Sequence, residues 1–438
     1  MDNQNLFDQT YSQILAKMAG QGVTNFQLLG SPINFSWPVP TTGQSSLAAQ
    51  QLADMLPKWS PVGSLQPGDA SFSSAYKRIL NLISFKVSPD KQNNLNDLRD
   101  QLTTANNTLQ SIIVGMNSTF QTAKQNGGDA FTAMYPGGFP DWVKGPGQTF
   151  QQQITTQTKA VNALGDQYSA FLVDFGTDPS LQDDFKLIAT PTAPIGGPAP
   201  SGWTKVANSD GSLSWQPVFN FGTTGQDWRA KLSAGSQGGF DITLDASKSS
   251  SDMEKSWAGA SASYDNWFWG VSGGGSWERL TQVESDSSVT ATINVKSSTL
   301  VPVTPGAWYD SGLMRNLALN KLGDGVVLVP PWLATGAQGS QCVFGQYGLL
   351  ATRVNGLVVV YQPSYSISMQ SSTYNLFHQK IEAKAGLRIG PFTFGGQGGN
   401  EQTKVSTTGN RTTLTSTSTS SDPLIIGVTV AFPGTDAA

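Results

Sequence analysis

The sequence predicts an α+β multidomain chain: an N-terminal α-helical domain with a long antiparallel helical hairpin, followed by an antiparallel β domain containing an internal duplication. Three observations carry this. Two long stretches of the first half space their apolar residues three and four apart. Apolar and polar residues of the second half alternate. A run of Pro and Gly separates the two patterns.

Between Lys91 and Gln125, Leu95, Leu98, Leu102, Ala105, Leu109, Ile112, Met116 and Phe120 form one helical stripe, introduced by Ser88-Pro89-Asp90. A second stripe, Phe150, Ile154, Gln157, Val161, Leu164, Tyr168, Phe171 and Phe175, stops before Gly176. At about 1.5 Å per residue these helices, 91–125 and 148–175, reach about 40–50 Å, and pairing them antiparallel buries both stripes. Leu6 to Met18, Ser45 to Leu56 and Phe72 to Phe85 carry shorter helical patterns and are expected beside the hairpin, completing a helical domain over 1–188. Residues 189–202 hold prolines 191, 194, 198 and 200 with glycines 196, 197 and 202, which suits a linker rather than a helix or a central strand.

From 203 to 438 the period becomes two. Val289, Ala291, Ile293 and Val295 alternate with polar residues, as do Ile381, Ala383, Ala385, Leu387 and Ile389, which predicts two half-buried strands. Leu357 to Tyr361 and Leu424 to Val430 are apolar at both parities, as strands covered on both faces require. Val405 to Ser421 is mostly Thr and Ser and has no apolar face to fix its register, so it reads as an exposed edge, a flap or a strand awaiting a partner. The duplication relates about 240–300 to about 365–432. Phe240, Ile242 and Leu244 lead through Trp267 to Gly275 to Glu278, and about 125 residues later Tyr365, Ile367 and Met369 lead through Phe392 and Phe394 to Glu401.

Charged residues make up only 13% of the chain and the net charge is -4, so the surface relies on neutral polar groups and offers no basic stripe for nucleic acid. Cys342 and His378 are the only residues of their types, which excludes intrachain disulfides and Cys/His zinc sites. No cofactor or metal is implied. The polar start of the chain lacks the apolar core of a secretory signal, and the longest apolar run, Leu424 to Phe432, is about half a membrane span. The expectation is a protein made soluble in the cytoplasm, any release following a route without a signal peptide.

Gly270-Val271-Ser272-Gly273-Gly274 satisfies the G-x-S-x-G pattern of a nucleophile elbow, with His378 and Asp310 or Asp324 available as partners. The elbow needs a strand before it and a helix after it, whereas this run sits in a glycine-rich aromatic turn, so the match is read as accidental. Asp178, Asp183 and Asp184 are spaced too irregularly for a calcium loop, and Cys342 has no basic neighbour to activate it.

Two aromatic clusters remain: Tyr135, Phe139 and Trp142 at the hairpin tip, and Trp267, Phe268 and Trp269 with Phe392 and Phe394 in the duplicated units. Such rings serve either as membrane or partner contacts or as core. With one histidine and no carboxylate cluster, an enzyme is not expected. The expected function is a non-enzymatic, membrane-active, pore-forming-like and so toxin-like protein that oligomerises through polar Ser/Thr-rich β-hairpins. The alternatives are a self-assembling scaffold using low-charge strand edges, and a carbohydrate- or surface-binding module. The implied partners are further copies of the chain and a lipid membrane or surface glycan.

Overall fold

The computed structural model describes residues 3–29, 47–58, 65–85, 89–136, 138–173, 199, 201–207, 213–222, 225–235, 238–248, 268–273, 276–321, 326–337, 340–345, 348–382, 386–394, 403–417 and 423–433. The fold is α+β. It divides into two compact units, the first formed by Met1–Asp69, Asn220–Thr304 and Thr352–Ala431, the second by Ala70–Phe219, Pro305–Ala351 and Phe432–Ala438. Compactness therefore groups the chain differently from the expected split into 1–188 and 203–438, because both units draw on segments from each side of the 189–202 run. Most of that run lies outside the described residues.

The first unit is organised by the 18-residue strand Arg353–Gln370. One side of it pairs antiparallel with Thr290–Pro302, from Gly356 opposite Pro302 to Ser368 opposite Thr290. Its other side is shared, Arg353 to Val360 pairing with Leu424–Ala431 and Ser364 to Gln370 with Arg411–Thr417. The change of partner falls at Tyr361 to Pro363, where Gln362 has φ 45 and Pro363 offers no N–H. Register shifts at Val354/Gly356 and Val358/Val359 add local twist, and the sheet curls. Beyond these strands lie Phe240–Asp245 on Thr290–Pro302, Lys404–Thr408 on Arg411–Thr417, and Phe26–Leu28 on Leu424–Ala431.

Leu424–Ala431 is buried at every position and Leu357 to Tyr361 likewise, as runs apolar at both parities require. One side of the sheet meets a four-stranded sheet ordered Ser276–Arg279, Trp269–Gly273, Leu387–Ile389, Phe392–Phe394. Phe268, Trp269, Leu387, Phe392 and Phe394 share a core with Ile242, Ile293, Tyr365 and Ile367, and the rings of Tyr365 and Phe394 meet edge to face at 4.6 Å. The helix Asn3–Met18 joins this same core through Leu6, Phe7, Ile14 and Met18. Its place is thus on the sheet of the first unit, a correction to its expected grouping with the hairpin.

A second correction concerns Ile381 to Ile389. Helix Ser371–Glu382 occupies the start of this expected strand and Leu387–Ile389 is extended, while residues 383–385 lie outside the described residues. Contacts at the helix start override the local alternation: the Ser371 N–H donates to the Asn410 carbonyl at 2.8 Å and the Thr373 hydroxyl to Asp286 at 2.8 Å.

In the second unit the hairpin forms as the periodicity predicts. Pro89–Met134 is interrupted at Gly128 (φ 48, ψ -128), which makes it two helices, and Gln148–Val173 returns alongside. Ala105, Leu109, Met116, Phe120, Ile154 and Val161 are buried along the seam. Gln157, the polar member of the second stripe, donates to the Ala105 carbonyl across the seam at 2.9 Å. Elsewhere in this unit Phe72, Phe219, Trp308 and Tyr309 pack ring on ring, Phe72 lying 5.4 Å from Trp308 and 5.0 Å from Tyr309.

Candidate assembly edges

A sheet that does not close ends in strands with unpaired backbone groups, and each such edge must be covered or left to pair with something else. The large sheet of the first unit treats its three outer strands differently. Phe26–Leu28 is buried at all three positions, with the Leu28 carbonyl accepting from the Leu65 N–H at 2.9 Å.

Phe240–Asp245 is covered by two glutamines of helix Asn3–Met18. The Gln9 amide accepts from the Asp245 N–H at 2.9 Å and donates to the Asp245 carbonyl at 3.0 Å. One turn on, the Gln13 amide accepts from the Thr243 N–H at 2.9 Å and donates to the Thr243 carbonyl at 2.7 Å. A side-chain amide carries the same donor and acceptor as a peptide, so the two glutamines substitute for a neighbouring strand. The spacing makes this possible: four helical residues rise about 6 Å and two strand residues about 6.8 Å. Phe7, two residues before Gln9, anchors the helix by meeting Phe268 edge to face at 4.9 Å.

Lys404–Thr408 is the contrast, exposed at all five positions. It pairs with Arg411–Thr417 through Gly409 (φ 62) and Asn410, the glycine taking the first central position as a type II′ turn requires. A two-residue connection puts the backbone bonds at Thr408, Ser406 and Lys404 towards Arg411–Thr417, leaving the peptide groups of Val405 and Thr407 facing outward. Among the described residues no strand pairs with that outer side. Val405, 45% exposed, is among the most exposed large apolar side chains, and no Trp, Tyr or Phe is in that group.

The turn end of this hairpin is held firmly. The Arg411 guanidinium donates to the Ser368 hydroxyl at 3.1 Å and to the Ser288 carbonyl at 2.9 Å, and the Thr412 hydroxyl to that of Ser371 at 2.9 Å. Asp286 ties the same corner, accepting from the N–H of Ser288 and Gln370 and from the hydroxyls of Ser288 and Thr373. Burial pushes the Asp286 carboxyl upward, but the donors from Ser288, Thr373 and Gln370 outweigh it and hold the group below the usual carboxylate range. Leu414, fully buried, gives the Thr/Ser hairpin the single apolar anchor that its composition conceals.

Among the described residues, the aromatic side chains singled out in the sequence are buried or half-buried. Phe139 and Trp142 are each 2% exposed and surround Phe120 at ring distances of 5.0 and 5.5 Å. Tyr135 is half-buried against Phe131. Phe268, Trp269, Phe392 and Phe394 are core, and Trp267 lies outside the described residues. In this fold none of the described seven faces outward, because the rings pack on one another and on neighbouring apolar residues, at the hairpin tip and between the two sheets.

Gly270 to Gly273 of the G-x-S-x-G run lie in a strand antiparallel to Ser276–Arg279, Ser272 standing opposite Trp277, and Gly274 lies outside the described residues. Asp310 accepts from the Leu313 N–H at 3.0 Å as the cap of helix Ser311–Ala318, and His378 Nδ1 lies 3.0 Å from the Asn375 carbonyl within its own helix. Asp324, Asp178, Asp183 and Asp184 lie outside the described residues. Cys342 is buried and reduced, and among the described residues no three His, Cys, Asp or Glu side chains gather as metal ligands.

The expectation for Val405 to Ser421, an exposed edge, a flap or a strand awaiting a partner, fits Lys404–Thr408 but not Arg411–Thr417, which is paired on both sides with its register fixed by buried Leu414, and the glutamine clasp was missed. Its signal was present as Gln9 and Gln13, four apart on a helix. No protein-family model, no curated protein and no solved structure matches the chain.

Proposed function

We propose that this chain is a non-enzymatic assembly protein that works by strand addition, its Ser/Thr-rich hairpin 404–417 accepting a strand from outside its own chain. The observation that supports this reading is the contrast between edges: one buried, one clasped by glutamines, and Lys404–Thr408 exposed along its length on a hairpin tied down by Arg411 and Leu414. The segments strand–hairpin–return strand at about 240–300 and 365–432 are read as a duplicated unit, the return strands Thr290–Pro302 and Arg411–Thr417 each lying antiparallel to the strand that opens the unit. The experiment is concentration-dependent association of the full chain without lipid, followed by sedimentation. Association lost on substituting Val405 by Pro supports strand addition, and association unaffected by it counts against.

A membrane-active, pore-forming-like version of the same assembly is a second reading. Arg411–Thr417 alternates buried Thr412, Leu414 and Ser416 with less buried neighbours, the period a barrel strand uses, and no helix among the described residues is long and apolar enough to cross a membrane. Under this reading the buried rings of Phe139, Trp142, Phe268 and Phe394 leave their core positions on reaching lipid. Dye release from liposomes tests it. The glycan-binding reading lacks an exposed aromatic platform among the described residues.

A further inference from the structure

We infer that the partner of the Lys404–Thr408 edge is the same edge of a second copy, the two strands pairing antiparallel about a two-fold axis at Ser406, and that assembly stops at the dimer. This rests on the strand-addition reading and goes further by naming the partner, the register and the stoichiometry.

The register follows from which peptide groups face outward. With Ser406 opposite Ser406 of the second copy, Val405 stands opposite Thr407 and Thr407 opposite Val405, so the outward-facing groups of both strands meet and exchange backbone bonds. The side chains also fit. Lys404, the strand's one charged residue, falls opposite the neutral Thr408 of the second copy rather than opposite another lysine, and the exposed Val405 meets a β-branched threonine. Thr, Ser and Val are residues that pleated pairs favour.

The stoichiometry follows from the clasp. A ring or filament built edge to edge needs two open edges on each copy. Here the opposite end of the sheet is occupied by Gln9 and Gln13, and Asp241 adds a carboxylate to it. Antiparallel self-pairing uses the open edge alone and consumes it. A five-residue pairing makes a small interface, so the dimer belongs to the weak class.

The test is sedimentation equilibrium of the full chain up to about 1 mM, on the natural sequence, Val405→Pro and Ser406→Lys. Proline is compatible with an edge strand at a position whose N–H faces outward, so Val405→Pro is expected to keep its circular dichroism and thermal midpoint while remaining monomeric. Ser406→Lys places like charges opposite each other at the axis and is expected to weaken the dimer about two- to fivefold at low salt, recovering at high salt. Should Val405→Pro misfold, the salt-dependent effect of Ser406→Lys decides alone. A monomer at every concentration, a dimer indifferent to both substitutions, or growth beyond two copies each overturns the inference. Amide exchange in the dilute monomer separates this failure from that of the broader reading. Fast exchange at Val405 and Thr407 without a dimer removes only the self-pairing, whereas slow exchange shows the edge closed by its own chain and removes strand addition as well.

Discussion

The Thr373 hydroxyl donates to the Asp286 carboxylate at 2.8 Å, joining the start of helix Ser371–Glu382 to the turn that precedes strand Thr290–Pro302. Asp286 is 7% exposed and its other oxygen accepts from Ser288, so one side chain fixes the corner where the turn end of hairpin 404–417 meets strand Arg353–Gln370. Asp286→Ala strands the Gln370 N–H and the Thr373 hydroxyl and is expected to destabilise the fold by about 2–4 kcal/mol, against about 1 kcal/mol for Thr373→Val. Denaturant unfolding of the two variants checks the order.

Acid sensitivity follows from the same carboxylate. Its folded pKa lies below the unfolded value of about 3.9, so the stabilisation is complete above that value and is lost as pH falls through the folded pKa. Asp245 acts in the same direction, the Ser247 hydroxyl and N–H holding it down against burial, with a smaller contribution from Lys248. The expected outcome is a denaturation midpoint flat from neutral pH to about pH 5 and falling below about pH 4, with the fall reduced in Asp286→Asn.

The glutamine clasp gives a local prediction. Gln9→Ala with Gln13→Ala removes the surrogate strand from Phe240–Asp245, and the amides of Thr243 and Asp245 are expected to exchange at least tenfold faster while Ile293 and Val358 stay protected. If the edge so exposed pairs between copies, the double variant also forms species larger than a dimer on concentration. Hydrogen exchange with residue resolution reads the first effect and light scattering the second.

At the tip of the helical hairpin Phe120 is 1% exposed between Phe131, Phe139 and Trp142. Phe120→Ala leaves a cavity there and is expected to cost about 3–5 kcal/mol in the stability of the hairpin. Near-ultraviolet circular dichroism and thermal unfolding of the variant measure it.

Gly427 makes a fourth site of sensitivity. A Cβ placed there collides with the ring of Phe26 on the neighbouring strand, so Gly427→Ala is expected to prise Phe26–Leu28 from Leu424–Ala431. Faster exchange of the Gln27 and Leu29 amides, with a lower thermal midpoint, is the measurable result.

The long helical seam was legible because Leu95 to Phe120 and Phe150 to Tyr168 repeat one spacing over many turns, and the central strands because Leu357 to Tyr361 and Leu424 to Val430 are apolar at both parities. Ile381 to Ile389 misled because alternation over a short window competes with contacts distant in sequence, here Asp286 with Thr373 and Asn410 with Ser371. The grouping of Asn3–Met18 with the sheet was illegible for a related reason: an amphipathic stripe states that a face is buried, not against which partner. Exposed and buried aromatic rings have the same composition, so Phe139, Trp142, Phe268 and Phe394 read as contact candidates until packing placed them inside. The open edge was visible in the Thr/Ser run, but its anchoring through Leu414 and Arg411 depends on strands more than forty residues away in sequence.

The claim on which the functional reading depends is that the outer side of Lys404–Thr408 is open in the single chain and closed by pairing. Amide exchange at Val405 and Thr407, followed from about 1 µM to about 1 mM protein, addresses it directly. Fast exchange in dilute solution with protection rising alongside concentration is the expected result; exchange already slow in dilute solution, or fast throughout, contradicts it.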